Sequence, residues 1–199
     1  MVAGGALASL ALAGGAGAAS SCAPAGAKVL ASSGSARLYS AGGNVYGCLG
    51  SRRTLLGPGP ALSHPTRIAR EVLAGRYAGV DVAQMGVDTF ESSVKLVNLE
   101  SGATVASAPA TSPERRAESF ITVRAMAINA KGVLAWIGAR SAVGAFQPVY
   151  ELHVLSSTVR AIVSSGTIPL AKLQLGLTRL SWREGPSGPR KSIPLAPLH

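Results

Sequence analysis

The chain is poor in acidic, aromatic and metal-binding side chains. Aspartate and glutamate together number 9 in 199 residues, aromatic residues make up 5% of the chain, and there are 2 cysteines and 3 histidines. Metal sites need several correctly spaced ligands, and surfaces that bind nucleic acid combine basic residues with aromatic rings for stacking. The scarcity of metal-binding side chains argues against a metal centre, and the scarcity of aromatic rings argues against specific binding of nucleic acid.

Several catalytic and nucleotide-binding motifs are also missing from the sequence. It contains no G-x-S-x-G elbow, no Walker or dinucleotide loop and no C-x-x-C pair. The Gly57-x-Gly59 pair is followed by Pro60 rather than by the start of a helix, so it predicts a turn. We therefore expect no catalytic residues, no cofactor and no metal.

The first residues form an uncharged apolar segment. Residues 2–19 consist almost entirely of Ala, Gly, Leu and Val, and Ala16-Gly17-Ala18 is a small-residue cleavage pattern. This predicts a secretory signal peptide over residues 1–18, although the usual basic residues before the apolar run are missing. The alternative is an uncleaved anchor, since the run approaches the roughly 20 apolar residues that span a bilayer. We expect a secreted or cell-envelope protein with no stable membrane insertion after cleavage, and one domain over residues 19–199.

The two cysteines follow the predicted cleavage site. In an exported protein an even pair such as Cys22 and Cys48 predicts a disulfide.

The net charge is strongly positive. Lys and Arg number 19 against 9 acids, which gives +10, and such a balance favours anionic partners. The basic residues are scattered along the sequence, which is also typical of a solvated surface. An anionic wall polymer, a polysaccharide or another protein are the partners expected.

Short apolar segments separated by glycine turns run through residues 28–195. In the clearest unit, Gly132 precedes an apolar run over residues 133–137 and two further alternating segments within residues 149–163. Such segments predict β-strands in antiparallel meanders, and a run that is apolar on both sides predicts a strand buried on both faces. We expect an all-β fold with proline-containing connections at 57–66 and 107–119, and with units at about 28–56, 67–107, 120–166 and 170–195.

Corresponding positions recur along the chain at similar intervals. Gly75 and Gly132 are 57 residues apart, Val94 and Val149 are 55 apart, and Gly176 follows Gly132 by 44. With four strands per copy, the pattern resembles the blades of β-propellers, in the loose manner of the WD-like or kelch-like repeats of secreted bacterial proteins. The resemblance implies a propeller-like array, complete or incomplete; a β-sandwich is the alternative.

A few acidic residues could carry chemistry. Asp81, Asp88 and Glu91 form the densest acidic group, although their spacing is not that of a calcium loop, and we expect them in a polar loop between two strands. Glu151 and His153 alternate on one predicted strand face, where they could form half of an acid–base site. An extracellular hydrolase or lyase acting on glycans would need two of these carboxylates in one cleft.

The remaining candidates are aromatic or terminal. Trp136 and Trp182 end corresponding strands and are predicted core residues, with sugar stacking as the alternative. His64 lies beside Pro65 and His199 is the last residue, so neither is placed for proton transfer. The sequence thus favours an exported, non-enzymatic β-repeat protein that acts as a binding or structural module, with its ligand-binding residues unknown and the glycan-cleaving enzyme as the alternative.

Overall fold

β-Strands account for all the regular structure of the described residues, which confirms the all-β prediction. A computed structural model of the protein describes residues 22–60, 64–112, 119–142, 144 and 147–195. The predicted signal peptide lies outside these ranges.

The first four strands form an antiparallel meander, sheet A, in chain order. Each strand is joined to the next by a two-residue turn, and glycine occupies every one of these turns. The strands are β1 (Lys28–Ser33), β2 (Ala36–Ala41), β3 (Asn44–Leu49) and β4 (Arg52–Pro58).

The next eight strands form sheet B, which consists of two antiparallel meanders, B1 and B2. B1 and B2 are joined by parallel pairing of β7 with β9 at Phe90 and Phe120. Gly75 and Gly132 have positive φ angles of 55° and 77° in the first turn of each meander, a conformation that other residues rarely adopt. The strands of B1 are β5 (Thr66–Ala74), β6 (Tyr77–Met85), β7 (Phe90–Asn98) and β8 (Ala103–Pro109), and those of B2 are β9 (Ser119–Ile128), β10 (Leu134–Ala142), β11 (Val149–Leu155) and β12 (Arg160–Gly166).

The last three strands form sheet C, which is antiparallel and again follows chain order. Its strands are β13 (Leu170–Leu175), β14 (Arg179–Glu184) and β15 (Arg190–Pro194).

The meanders pack face to face in chain order, and β10 shows how one strand serves two interfaces. Leu134 and Trp136 join an apolar cluster with residues of B1, whereas Ala135 and Ile137 join a cluster with sheet C. Because successive side chains of a strand point to opposite faces, an uninterrupted apolar run can supply both cores. The predicted burial of this strand on both faces is confirmed.

Sheet A packs on the opposite face of B1. Leu38 of β2 lies in one cluster with Ala78, Val97 and Leu99 from the B1 meander. On its other face, B1 approaches B2 closely at Gly79 of β6, where a Cβ atom would lie 2.5 Å from Cδ1 of Leu134. The order of packing is therefore A, B1, B2, C, and the described parts of the chain contain no closed ring of sheets.

One connecting segment differs from the expectation. The predicted connection over 107–119 contains the end of β8, followed by Ala110 and Thr111, which are buried. Contacts with B2 bury these two residues, as the hydrogen bonds below show.

Candidate functional site

Alternate turns of the meanders lie side by side along one edge of the stack, which we call the glycine-turn edge. It comprises the turns β1–β2, β3–β4, β5–β6, β7–β8, β9–β10, β11–β12 and β13–β14. Two hydrogen bonds join sheet A to B1 there. The amide of Gly75 donates to Ser33 Oγ at 2.8 Å, and Arg52 Nη1 donates to the carbonyl of Ser101 at 2.6 Å.

The same edge continues across B2 to sheet C. The Tyr77 ring of B1 lies against Gly132, where a Cβ atom would stand 2.9 Å from the ring. Asn129 Nδ2 donates to the carbonyl of Gly176 at 2.9 Å. Turns that are far apart in sequence are thus joined in chain order into one surface.

This edge is rich in positive charge. The turn segments 34–35, 50–51, 75–76, 99–102, 129–133, 156–159 and 176–178 contain one acidic residue, Glu100. Seven basic residues lie in these turns or within the first two residues of the strands that follow, which leaves a balance of +6: Arg37, Arg52, Arg53, Arg76, Lys131, Arg160 and Arg179.

Most of these cations remain available to solvent. Arg76 pairs with Glu100 at 2.6 Å, and both side chains are at least half exposed. Hydrogen bonding to Tyr77, and then to Glu100, raises the pKa of Arg76 above its usual value. Lys131 and Arg160 are exposed, and within the described ranges neither has a carboxylate partner.

The Glu151–His153 pair forms the most polar part of the interior. Both side chains lie on one face of β11, as predicted, and His153 Nε2 is 2.8 Å from Glu151 Oε2. His153 has 0% exposure and Glu151 has 4%. Burial lowers the pKa of His153, against the effect of the neighbouring carboxylate. The imidazole is therefore neutral at pH 7, and Nε2–H donates to the carboxylate.

This pair holds the segment that follows β8. The amide and hydroxyl of Ser112 donate to Glu151 Oε2 at 2.6 and 3.0 Å. The indole of Trp136 donates to the carbonyl of Ala110 at 2.8 Å. We call these contacts the B1–B2 clasp. The side chains of Trp136, Glu151 and His153 are buried, and their hydrogen bonds position residues 110–112.

The acidic group predicted over residues 81–91 is divided by the structure. Asp88 is exposed in the β6–β7 turn, as expected for a polar loop, whereas Glu91 is exposed but lies in β7, opposite Gln84. Asp81 instead lies within β6, at 2% exposure. Burial raises its pKa to about 6, while the hydroxyl of Ser92 and the charge of Arg70 act in the opposite direction. The loop expectation was wrong for Asp81 and Glu91, because β6 extends to Met85 and β7 begins at Phe90.

The remaining predicted positions have structural surroundings. Trp136 and Trp182 are buried in the two clusters on either side of B2. His64 is exposed and contacts the backbone of Thr66, whereas His199 lies outside the described residues. No group of three His, Cys, Asp or Glu side chains that could hold a metal ion occurs in the described ranges.

The predicted disulfide between Cys22 and Cys48 is present, with Cα atoms 5.9 Å apart. It attaches residues 22–27 to the outer face of sheet A. There Ala23 and Ala27 pack with Tyr39 and Tyr46, whose rings are stacked with centroids 5.4 Å apart. The outer face of sheet A is thereby partly covered.

Comparison with protein-family models gives no match, and no curated protein is significantly similar in sequence. In the part of the chain that the structure describes, no helix is long and apolar enough to span a membrane.

Sequence reasoning missed the glycine-turn edge. Its cations are scattered from residue 37 to residue 179, and scattered cations predict only a general solvated surface. The available signal was positional, because Arg76, Lys131 and Arg179 each lie within three residues of a repeat glycine.

Proposed function

We propose that this protein is an exported, non-enzymatic β-repeat protein that binds an anionic polymer along its glycine-turn edge. The observation that carries the proposal is the concentration of seven basic side chains against one carboxylate on a surface that crosses all the meanders. A surface of one sign attracts counter-charged ligands and raises their local concentration.

The arrangement suits an extended ligand. Packed sheets lie about 10 Å apart, so the cations of A, B1, B2 and C form a row with spacing of that order. A flexible polymer with repeated negative charges could contact several of them at once, and linked contacts strengthen binding without requiring any single strong site. An anionic wall polymer or an acidic polysaccharide has this chemistry.

The location and the repeat architecture belong to the same proposal. The Cys22–Cys48 disulfide is consistent with an oxidising, extracellular environment, and the uncharged segment over residues 1–18 supports export. Meanders that pack in chain order, with Gly75, Gly132 and Gly176 at one edge, support a propeller-like repeat that is incomplete.

The glycan-cleaving alternative receives less support. Asp88 and Glu91 are exposed at a hairpin, whereas Asp81 and Glu151 are buried. A glycosidase needs two carboxylates that both reach the substrate.

Polymer binding can be tested with a charge-matched pair of variants. The edge variant Arg52→Gln/Lys131→Gln/Arg160→Gln and the control Lys28→Gln/Arg124→Gln/Lys172→Gln remove the same charge, and all six residues are exposed. Binding to heparin and to a teichoic acid would be measured at low and high salt, with neutral dextran as the comparison polymer.

We expect the native protein and the control to bind both polyanions, with affinity falling steeply as salt rises. We expect the edge variant to bind at least about tenfold more weakly, since each lost ionic contact reduces the electrostatic attraction. Equal losses in the two variants, or binding insensitive to salt, would contradict the proposal.

A further inference from the structure

The outer face of sheet C carries positive charge that the sheet does not neutralise. Arg179, Arg183 and Arg190 lie on this face, because β14 alternates and Arg183 pairs directly with Arg190 of β15. The one acidic residue in the three strands, Glu184, lies on the other face and is paired with Lys191 at 2.6 Å. Of the described carboxylates, none pairs with these three arginines.

Arg179 and Arg190 border a surface cavity of about 380 Å³ that is widely open to solvent, and Gln174, Leu175, Gly176 and Ser181 also line it. This volume is in the range of ligand pockets in proteins. The guanidinium groups are held by neutral partners. Arg190 Nη2 donates to Ser181 Oγ at 3.0 Å and also contacts Gln174 Oε1, and Arg179 Nη1 donates to Ser192 Oγ at 2.7 Å.

These neutral contacts orient the guanidinium groups but leave their charges uncompensated. Hydrogen bonds from arginine to an oxyanion are about twice as strong as those between neutral groups. An anion entering the cavity could therefore replace solvent around both arginines. The amide nitrogen of Gln174 can donate a further hydrogen bond, and Leu175 provides an apolar wall.

We infer that this cavity, the sheet C pocket, binds a single sugar unit that carries an oxyanion. The inference rests on the proposed function and names the part of an acidic glycan that this end of the protein would recognise. The arginines select the charge, while Gln174 and Ser181 face the hydroxyl groups of the sugar. Arg179 also belongs to the glycine-turn edge, so a polymer on that edge can extend into the pocket.

The test uses the full chain, labelled with ¹⁵N, and titration with single small molecules. The probes are glucuronate, glucose 6-phosphate, neutral glucose and inorganic phosphate. We expect glucuronate or glucose 6-phosphate to shift the amide signals of Gly176 and Ser181 in a saturable way. We expect glucose to shift them little, because it has no charge for the arginines.

Variants then assign the binding to the pocket. Arg179→Gln/Arg190→Gln should weaken the binding of the charged sugar at least about tenfold, and Lys28→Gln, at an exposed position on sheet A, should leave it unchanged. Arg190→Lys keeps the charge but loses the planar fork, so it should give an intermediate loss while preserving the fold. The amide spectrum of each variant reports whether it is folded.

Failure of this inference can be distinguished from failure of the proposed function. Equal binding of glucose, binding of inorganic phosphate alone, or full binding by Arg179→Gln/Arg190→Gln would each overturn the sheet C pocket. Salt-sensitive polymer binding that depends on Arg52, Lys131 and Arg160 would still stand in those cases. Conversely, a protein that binds the charged sugar but no polymer would retain the pocket and lose the proposed function.

Discussion

The rings of Trp136 and His153 are stacked in the interior of B2, with centroids 4.9 Å apart and planes 4° from parallel. Both rings are linked to the segment that follows β8. The indole nitrogen of Trp136 donates directly to the carbonyl of Ala110, whereas His153 Nε2 contacts the carboxylate of Glu151, which in turn binds that segment. This stacked pair therefore stands at the centre of the B1–B2 clasp.

We expect His153→Ala to reduce the free energy of unfolding by about 2–4 kcal/mol, because it creates a cavity beside Trp136 and removes a partner of buried Glu151. Urea denaturation at pH 7.5 measures the change. His64→Ala, at an exposed histidine, is the control and should change stability by less than about 0.5 kcal/mol. Similar stability of the two variants would show that the clasp contributes little.

The buried carboxyl group of Asp81 predicts a dependence of stability on pH. Its pKa is about 6 in the folded protein against an ordinary value of 3.8, so between these two values the folded state binds more protons than the unfolded chain. Stability contributed by the protonated carboxyl is therefore lost as the pH rises from about 4 to 6. Buried His153 has a lowered pKa and acts in the opposite direction, since its protonation below about 6.5 favours the unfolded chain.

Asp81→Asn isolates the contribution of this carboxyl. We expect the substitution to increase the free energy of unfolding at pH 7 by about 2 kcal/mol, because asparagine has nearly the same shape as aspartate but places no charge in the interior. At pH 4 the gain should disappear. Unfolding free energies of Asp81→Asn and of the exposed control Asp88→Asn at both pH values measure the effect, and a gain independent of pH would argue against ionisation of Asp81.

The disulfide should contribute stability through the unfolded chain. It links two residues that are 26 positions apart in the sequence. For a loop of this length the chain-entropy model gives a stabilisation of about 3.5 kcal/mol. We expect Cys22→Ser/Cys48→Ala to lose about that amount in urea denaturation. Limited proteolysis should then cut within residues 22–27 first, since the disulfide attaches this segment to sheet A. Unchanged protease resistance would show that packing alone holds the segment.

Gly79 tests the close contact between B1 and B2. A Cβ atom there would lie 2.5 Å from Leu134 and 2.9 Å from Val72, so we expect Gly79→Ala to cost about 1–3 kcal/mol through overpacking. Gly166 has open space around its Cα, and Gly166→Ala is the matched control with little expected change. Thermal unfolding of both variants gives the comparison.

Local patterns predicted those features that depend on neighbouring residues. Alternation and glycine turns indicated the strands of B2, and Val133 to Ile137 were correctly expected to be buried on both faces. A predicted export signal and an even cysteine count predicted the pairing of Cys22 with Cys48. In each case the signal lies within the segment or in the composition of the whole chain.

Asp81 and Thr111 show why other features were not predictable. Both are polar, and both lie in stretches that looked like connections, yet contacts between meanders bury them. Burial of a polar side chain depends on which surface packs over it, and that surface comes from residues far away in sequence.

The sequence by itself determined an all-β chain with glycine turns, a disulfide and an excess of basic residues. Only the tertiary structure decided that seven of those basic residues share one edge, and that Glu151 and His153 are enclosed instead of exposed. The physical reason is that strand alternation and turn geometry depend on neighbouring residues, whereas face-to-face packing of sheets brings together residues that are far apart in the sequence.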